Sequence, residues 1–212
     1  MTQKPRLYYI YDPMCSWTYG FEATRRKLFE KLGDSVEIEF LVGGLAPDSD
    51  EPMPEETRSF LQQTWHKIEQ RIPGVHFNFD FWEKASPRRS TYPACRAVIA
   101  ARQFGPEYEA MMTAAIQRAY YQEARNPSDD STLIELAAEI GLDADEFAGV
   151  LGDPATQQKL LDEINRCRTM KQDSYPSLLL ESSEASRWQI AIDYNNEETM
   201  RELIVSLLRN EG

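Results

Sequence analysis

Cysteine is scarce in this chain, with three among 212 residues, at positions 15, 95 and 167. So few thiols, so widely spaced, exclude a structural disulfide framework. Histidine is scarcer still, at two residues, and without a Cys/His cluster a zinc site has no donor set. No apolar run nears the roughly 20 residues that a membrane-spanning helix needs. Cationic side chains are outnumbered, 23 Lys and Arg against 35 Asp and Glu, for a net charge of −12. That balance argues against nucleic acid and anionic membrane as partners, because both require a basic surface. The N-terminus lacks the apolar stretch of a signal peptide, which sets the expectation of a cytoplasmic protein. Internal repeats and low-complexity segments are missing as well.

What remains is the composition of a globular protein, 42% hydrophobic and 27% charged, in a chain long enough to bury a good core. Its most informative stretch runs from Arg6 to Phe21. Residues Arg6 to Tyr11 form a mostly apolar and aromatic run that fits a buried strand. Asp12-Pro13 ends the run, because Pro13 has no N–H to give a ladder and holds its predecessor extended. Trp17, Phe21, Thr24, Leu28 and Leu32 then recur at three- and four-residue spacing along one helical face. Cys15 therefore falls where a strand hands over to the first turn of a helix. Free backbone N–H groups and the positive end of the helix dipole meet there. Both favour a thiolate over a thiol. A free cysteine is more often a small buried apolar residue. Its place at a helix start, beside Ser16 and Thr18, nevertheless marks Cys15 as a candidate nucleophile.

Further along, Val36, Ile38, Phe40 and Val42 alternate as in a half-buried strand, which completes a parallel βαβ unit. Residues 47–54 are a loop rich in Asp, Glu and Pro. From about Met53 to Met170 the pattern is helical, with breaks at Pro73-Gly74, Gly105-Pro106, Gly141 and Asp153-Pro154. His76 to Trp82 is aromatic and irregular and is expected to be a loop. Pro93 suits a first helical position, Asp130 or Ser131 a cap, and Asp143 with Glu146 a capping box. Strands return at Ser177–Glu181 and around Trp188, Ile190 and Ile192, with a connection short enough for an antiparallel hairpin. Asn195 or Asn196 then caps a final helix carrying Met200, Leu203, Ile204, Leu207 and Leu208.

At the segment Tyr11-Asp-Pro-Met-Cys15-Ser-Trp-Thr18-Tyr-Gly-Phe21 the sequence resembles the DsbA-like thioredoxin-fold family, in its cytoplasmic FrnE-like branch. Smaller echoes follow in order at Gly43-Gly44-Leu45, Pro93 to Ala97, Gln117 to Tyr121 and Tyr175-Pro176. The resemblance implies an α/β thioredoxin fold interrupted by a large all-helical insertion. It places the core at residues 1–50 and 173–212 and the helical domain at 51–172. One position departs from the family: where it carries the second cysteine of Cys-X-X-Cys, this chain has Thr18.

That departure shapes the expected chemistry. Thiol–disulfide exchange needs an attacking thiolate and a second thiol to resolve the mixed disulfide. Thr18 offers a hydroxyl that can support the Cys15 thiolate but cannot enter a disulfide. One-thiol chemistry remains, with Cys15 and Thr18 as the catalytic pair and no metal. The family resemblance adds Trp17, Tyr175, the cis-proline Pro176 and Thr91 as substrate-binding residues, with Arg96 and Gln117 as weaker candidates on the facing wall. Arg88-Arg89 reads as a solvated pair that can also meet a carboxylate of glutathione. Cys95 and Cys167 lie on apolar stripes and read as buried, with Cys95 the better outside candidate to resolve Cys15. The expected partners are thiol- or disulfide-bearing proteins or small molecules, acting on a monomer or homodimer. Glutathione is expected as a co-substrate rather than a tightly bound cofactor. Two alternatives stay open: a glutathione-dependent isomerase or transferase of the same fold, and a non-catalytic binding module whose site has lost its use.

Overall fold

The computed structural model describes residues 4–209. Strand β1 (Arg6–Tyr11) leads through Asp12–Cys15 into helix α1 (Ser16–Leu32), and a single 3₁₀ turn at Gly33–Ser35 returns the chain to β2 (Glu37–Val42). Helices α2 (Glu55–Arg71), α3 (Phe81–Lys84), α4 (Tyr92–Arg102), α5 (Glu107–Tyr121), α6 (Asp130–Glu139), α7 (Ala144–Leu151) and α8 (Pro154–Thr169) follow. Strands β3 (Ser177–Glu181) and β4 (Arg187–Ile190) and helix α9 (Glu197–Arg209) complete the chain. The sheet runs β2-β1-β3-β4. Strands β1 and β2 are parallel, with Tyr9 opposite Phe40, while β3 is antiparallel to both β1 and β4. This is a thioredoxin fold with a helical insertion between β2 and β3.

Period-two alternation splits β1 between two apolar layers. Leu7, Tyr9 and Tyr11 join Phe21 and Leu28 of α1, Leu178 and Leu180 of β3 and Ile204 of α9. Tyr8 and Ile10 turn to the other face, with Leu41, Leu179 and Cys167 of α8. A strand buried on both faces reads as continuously apolar, which is why Arg6–Tyr11 shows no polar alternation. The insertion is organised around Trp65, 1% exposed. Its indole stacks on Phe77 at 4.8 Å and meets Trp82 at 4.8 Å and Tyr121 at 5.5 Å. Aromatic pairs of this kind contribute about 0.5–1.5 kcal/mol each beyond the area they bury.

Local signals act as the residues dictate. Asp143 and Asp153 cap α7 and α8, accepting from Glu146 N at 2.9 Å and Ala155 N at 2.8 Å. Pro93 sits in the first turn of α4, and Asn196 accepts from Glu198 N at 3.0 Å at the start of α9. Three details differ from the sequence reading. The aromatic stretch before residue 85 contains the short helix α3, held against Trp65 by Phe81 and Trp82. The residue capping α6 is Asp129, one position earlier than expected. Strand β4 ends at Ile190, so Ile192 lies beyond it.

Candidate active site

Cys15 is the N-cap of α1, and its carbonyl accepts the first helical hydrogen bond, from Tyr19 N at 3.1 Å. The side chain is buried, 8% exposed, and its thiol donates to the Tyr175 carbonyl at 3.4 Å. The Tyr175–Pro176 bond is cis, and β3 begins at the next residue, Ser177. Tyr175 is itself seated by Gly43. A Cβ at that glycine would stand 1.9 Å from the tyrosine ring, and the Tyr175 hydroxyl donates to the Gly43 carbonyl at 2.7 Å. Trp17 packs on Tyr194 with ring centroids 5.0 Å apart, and the Arg71 guanidinium lies 5.7 Å from its centroid.

Burial pushes the Cys15 thiol above its ordinary pKa, and the Asp12 carboxylate adds to the shift; the Thr18 and Trp17 N–H groups and the Thr18 hydroxyl oppose it. The helix start was expected to favour the thiolate outright. Desolvation outweighs it here, because a buried thiolate loses its water while the thiol keeps a carbonyl acceptor. The donors around Sγ are nonetheless kept in reserve. Thr18 is fully buried, its hydroxyl bonds to no protein atom among the described residues, and no cap hydrogen bond closes onto the resting thiol. A folded thiol pKa above the free value of about 8.5 means less thiolate at neutral pH than free cysteine has. Alkylation of Cys15 by iodoacetamide is therefore expected to rise about tenfold per pH unit from 7 to 8.5 without levelling off. A plateau below pH 8, read by mass spectrometry, would show that the donors win over burial.

Asp12 was read only as the end of a strand, yet it holds the site together. Fully buried, it accepts from Met14 N at 2.8 Å on one oxygen. Its other oxygen accepts from Leu45 N at 2.7 Å, the Thr91 hydroxyl at 2.6 Å and the Cys95 thiol at 3.5 Å. Burial pushes this carboxyl above the usual range, and the four donors pull it back. Thr91 borders the cavity beside Cys15, with its hydroxyl donating to Asp12 at 2.6 Å. Cys95 donates to the same carboxylate. Burial and the neighbouring Asp12 hold its thiol well above the ordinary pKa. Cys167 lies on the far face of the sheet, where burial pushes it up to about 12. All three cysteines are free.

The cavity at Cys15 measures roughly 230 Å³. Trp17, Tyr175, Thr91 and Arg89 border it, as do Met53, Phe60, Leu61, Trp65 and Tyr120, which the sequence reading did not place there. Phe60 is 64% exposed and sits one position off the apolar stripe of α2, a signal visible in the sequence. Arg96 and Gln117 do not border this cavity. Arg96 pairs with Asp48 at 2.7 Å, and Gln117 is buried in α5. The Arg88-Arg89 pair is not simply solvated either: Arg88 is pinned to Asp129 at 2.6 Å and to the Ser128 carbonyl at 2.7 Å. His66 stacks on Phe79 at 4.2 Å, away from the cavity. Among the described residues no cluster of His, Cys, Asp and Glu could hold a metal ion, and no helix is long and apolar enough to cross a membrane.

A thiol capping the first helix, faced by a cis-proline loop and closed over by inserted helices, is the arrangement of the DsbA-like thioredoxin fold. The chain belongs to the thioredoxin family, whose family model matches residues 8–202. It is similar to a candidate protein disulfide isomerase from Nitrosomonas europaea. The two are 29% identical with a TM-score of 0.85, over 99% of this chain and 100% of that one. The cytosolic disulfide reductase DsbM from Pseudomonas aeruginosa is 25% identical with a TM-score of 0.73, over 97% and 99% of the two chains. A second structure of DsbM contains glutathione. The ClpXP adapter protein SpxH of Halalkalibacterium halodurans is 25% identical over 84% of this chain. The chain spans 59% of that relative's length.

Proposed function

We infer that the protein is a monothiol oxidoreductase that exchanges small thiols, glutathione foremost, on and off disulfides through Cys15. The Cys15 thiolate attacks a mixed disulfide R–S–S–G, forms Cys15–S–S–G and releases R–S⁻, which takes up a proton. A second glutathione thiolate then attacks the adduct and leaves as oxidised glutathione, returning Cys15. The observation that carries this reading is the pairing of Cys15 with the Tyr175 carbonyl beside a threonine at the resolving position. A docking disulfide takes over the Tyr175 backbone in the manner of an added strand. The thiol then loses its acceptor, and the reserved donors of Trp17 and Thr18 favour the thiolate. DsbM with glutathione is a precedent for the co-substrate on a related chain.

The test is intact mass after treatment with oxidised glutathione. One glutathione is expected on the wild type, mapped to Cys15 and reversed by added thiol, and none on Cys15→Ser. Labelling at Cys95 or Cys167 instead would sink the reading. The adapter relatives favour a second one, a partner-binding module in which Cys15 is dispensable. It predicts that Cys15→Ser leaves the biological role intact.

A further inference from the structure

Resting on the thiol reading of this site, we propose that Arg89 is a carboxylate-binding residue that selects acidic small thiols for Cys15. The cavity beside the thiol is walled mainly by apolar side chains, Met53, Phe60, Leu61, Trp65 and Tyr120 among them. Arg89 is the one guanidinium on its border whose charge is not already matched. Its neighbour Arg88 is spent on Asp129 and Ser128, whereas Arg89 forms no ion pair or hydrogen bond among the described residues.

That vacancy is unusual in this chain. Carboxylates outnumber cations, 35 to 23, and the other half-buried arginines, such as Arg25, Arg58, Arg96, Arg102 and Arg166, each have a carboxylate within 4 Å. The described arginines lacking one, apart from Arg89, are exposed: Arg71, Arg168 and Arg209. A half-buried guanidinium has given up part of its hydration, and a carboxylate restores it through paired, charge-assisted hydrogen bonds. Arg89 also acts on its surroundings. Burial pushes the Tyr120 phenol up, and Arg89 opposes that shift from close by. In a molecule of net charge −12, an unpaired positive centre on the border of a mainly apolar cavity draws an anion to that spot. The ligand class is therefore a thiol compound with a carboxylate at one end and its sulfur at Cys15.

The carboxylate has two sources, glutathione itself or a less polar thiol acid whose body fills the apolar walls. Binding is measured by calorimetry in the Cys15→Ser protein, so that the outcome does not depend on thiol reactivity. The ligands are S-methylglutathione, S-benzyl-3-mercaptopropanoate and the neutral amide of the latter. At least one acid is expected to bind, with Arg89→Gln weakening it roughly tenfold and Arg89→Lys restoring most of the loss. The amide is expected to bind weakly and with no dependence on residue 89. Whichever acid shows the Arg89 dependence names the source. Equal binding by the Gln variant, an amide bound as tightly as the acid, or no binding of either acid overturns the proposal. A failed glutathione adduct on the wild type bears on Cys15 alone and leaves this result to stand or fall separately.

Discussion

Thr18→Cys is expected to turn a site that holds its glutathione adduct into one that expels it. In the wild type the adduct on Cys15 waits for an external thiol, because the residue three positions on carries a hydroxyl. The substitution puts a sulfur at the third helical position, where residues three apart on a helix start can meet. Thr18 is fully buried and its hydroxyl bonds to nothing among the described residues, so the exchange breaks no existing hydrogen bond. Attack becomes intramolecular, and the adduct's lifetime should fall by at least on the order of 10²-fold. Insulin reduction by dithiothreitol should rise above background at the same time. The measurement is stopped-flow or quenched mass analysis of the pre-formed adduct. A folded Thr18→Cys protein that keeps its glutathione would defeat the monothiol reading and favour the partner-binding module.

The second large effect is structural. Asp12→Ala is expected to cost about 3 kcal/mol or more in urea unfolding, because Met14 N, Leu45 N and the Thr91 hydroxyl lose their acceptor inside the protein. Asp12→Asn should cost less, since one amide oxygen still accepts. The pH dependence has a definite sign. Burial raises the Asp12 pKa in the folded state, so the native protein binds more protons than the unfolded chain in the interval above about 4. Wild-type stability from this group therefore declines as pH rises through that interval. The gap to Asp12→Asn should be widest at the acid end and narrow toward neutrality. A loss under about 1 kcal/mol for Asp12→Ala would mean that the loops relax to satisfy their own donors.

The layers of the fold were legible because periodicity and breakers carry them. The apolar run before Asp12-Pro13, the alternation from Val36 to Val42 and the Pro and Gly punctuation each gave an element close to its observed bounds. Cys15 was legible from its place at a strand-to-helix junction, whereas its pKa was not. Periodicity says where a helix begins but not how much water its first residue keeps. Most of the cavity wall was hidden for a related reason: Trp65 of α2 and Tyr120 of α5 lie far apart in sequence and read locally as core, whereas Phe60 stood off its helix's apolar stripe. Arg88 and Arg89 were read together, as a solvated pair that could also meet a glutathione carboxylate, because a sequence does not show which arginines have already found carboxylates. The proposed division at residues 51–172 is one of topology. A single apolar cluster runs from Leu7 and Ile204 to Trp65 and Phe147 across it.

The Asp12 carboxylate also says something about the order in which the molecule comes together. Its four donors lie 2, 33, 79 and 83 positions along the chain, so only the first is available to a nascent N-terminal segment. The other three arrive with the loop after β2 and the first turns of α4. Closing loops of that length is slow and entropically costly until the contacts at their ends are made. The turn that presents Cys15 closes two local bonds by itself, Cys15 N to the Asp12 carbonyl and Met14 N to the Asp12 carboxylate, but its full set of donors is expected only once α4 has docked. A chain released before residue 95 would carry the whole Cys15 motif and still lack a formed site.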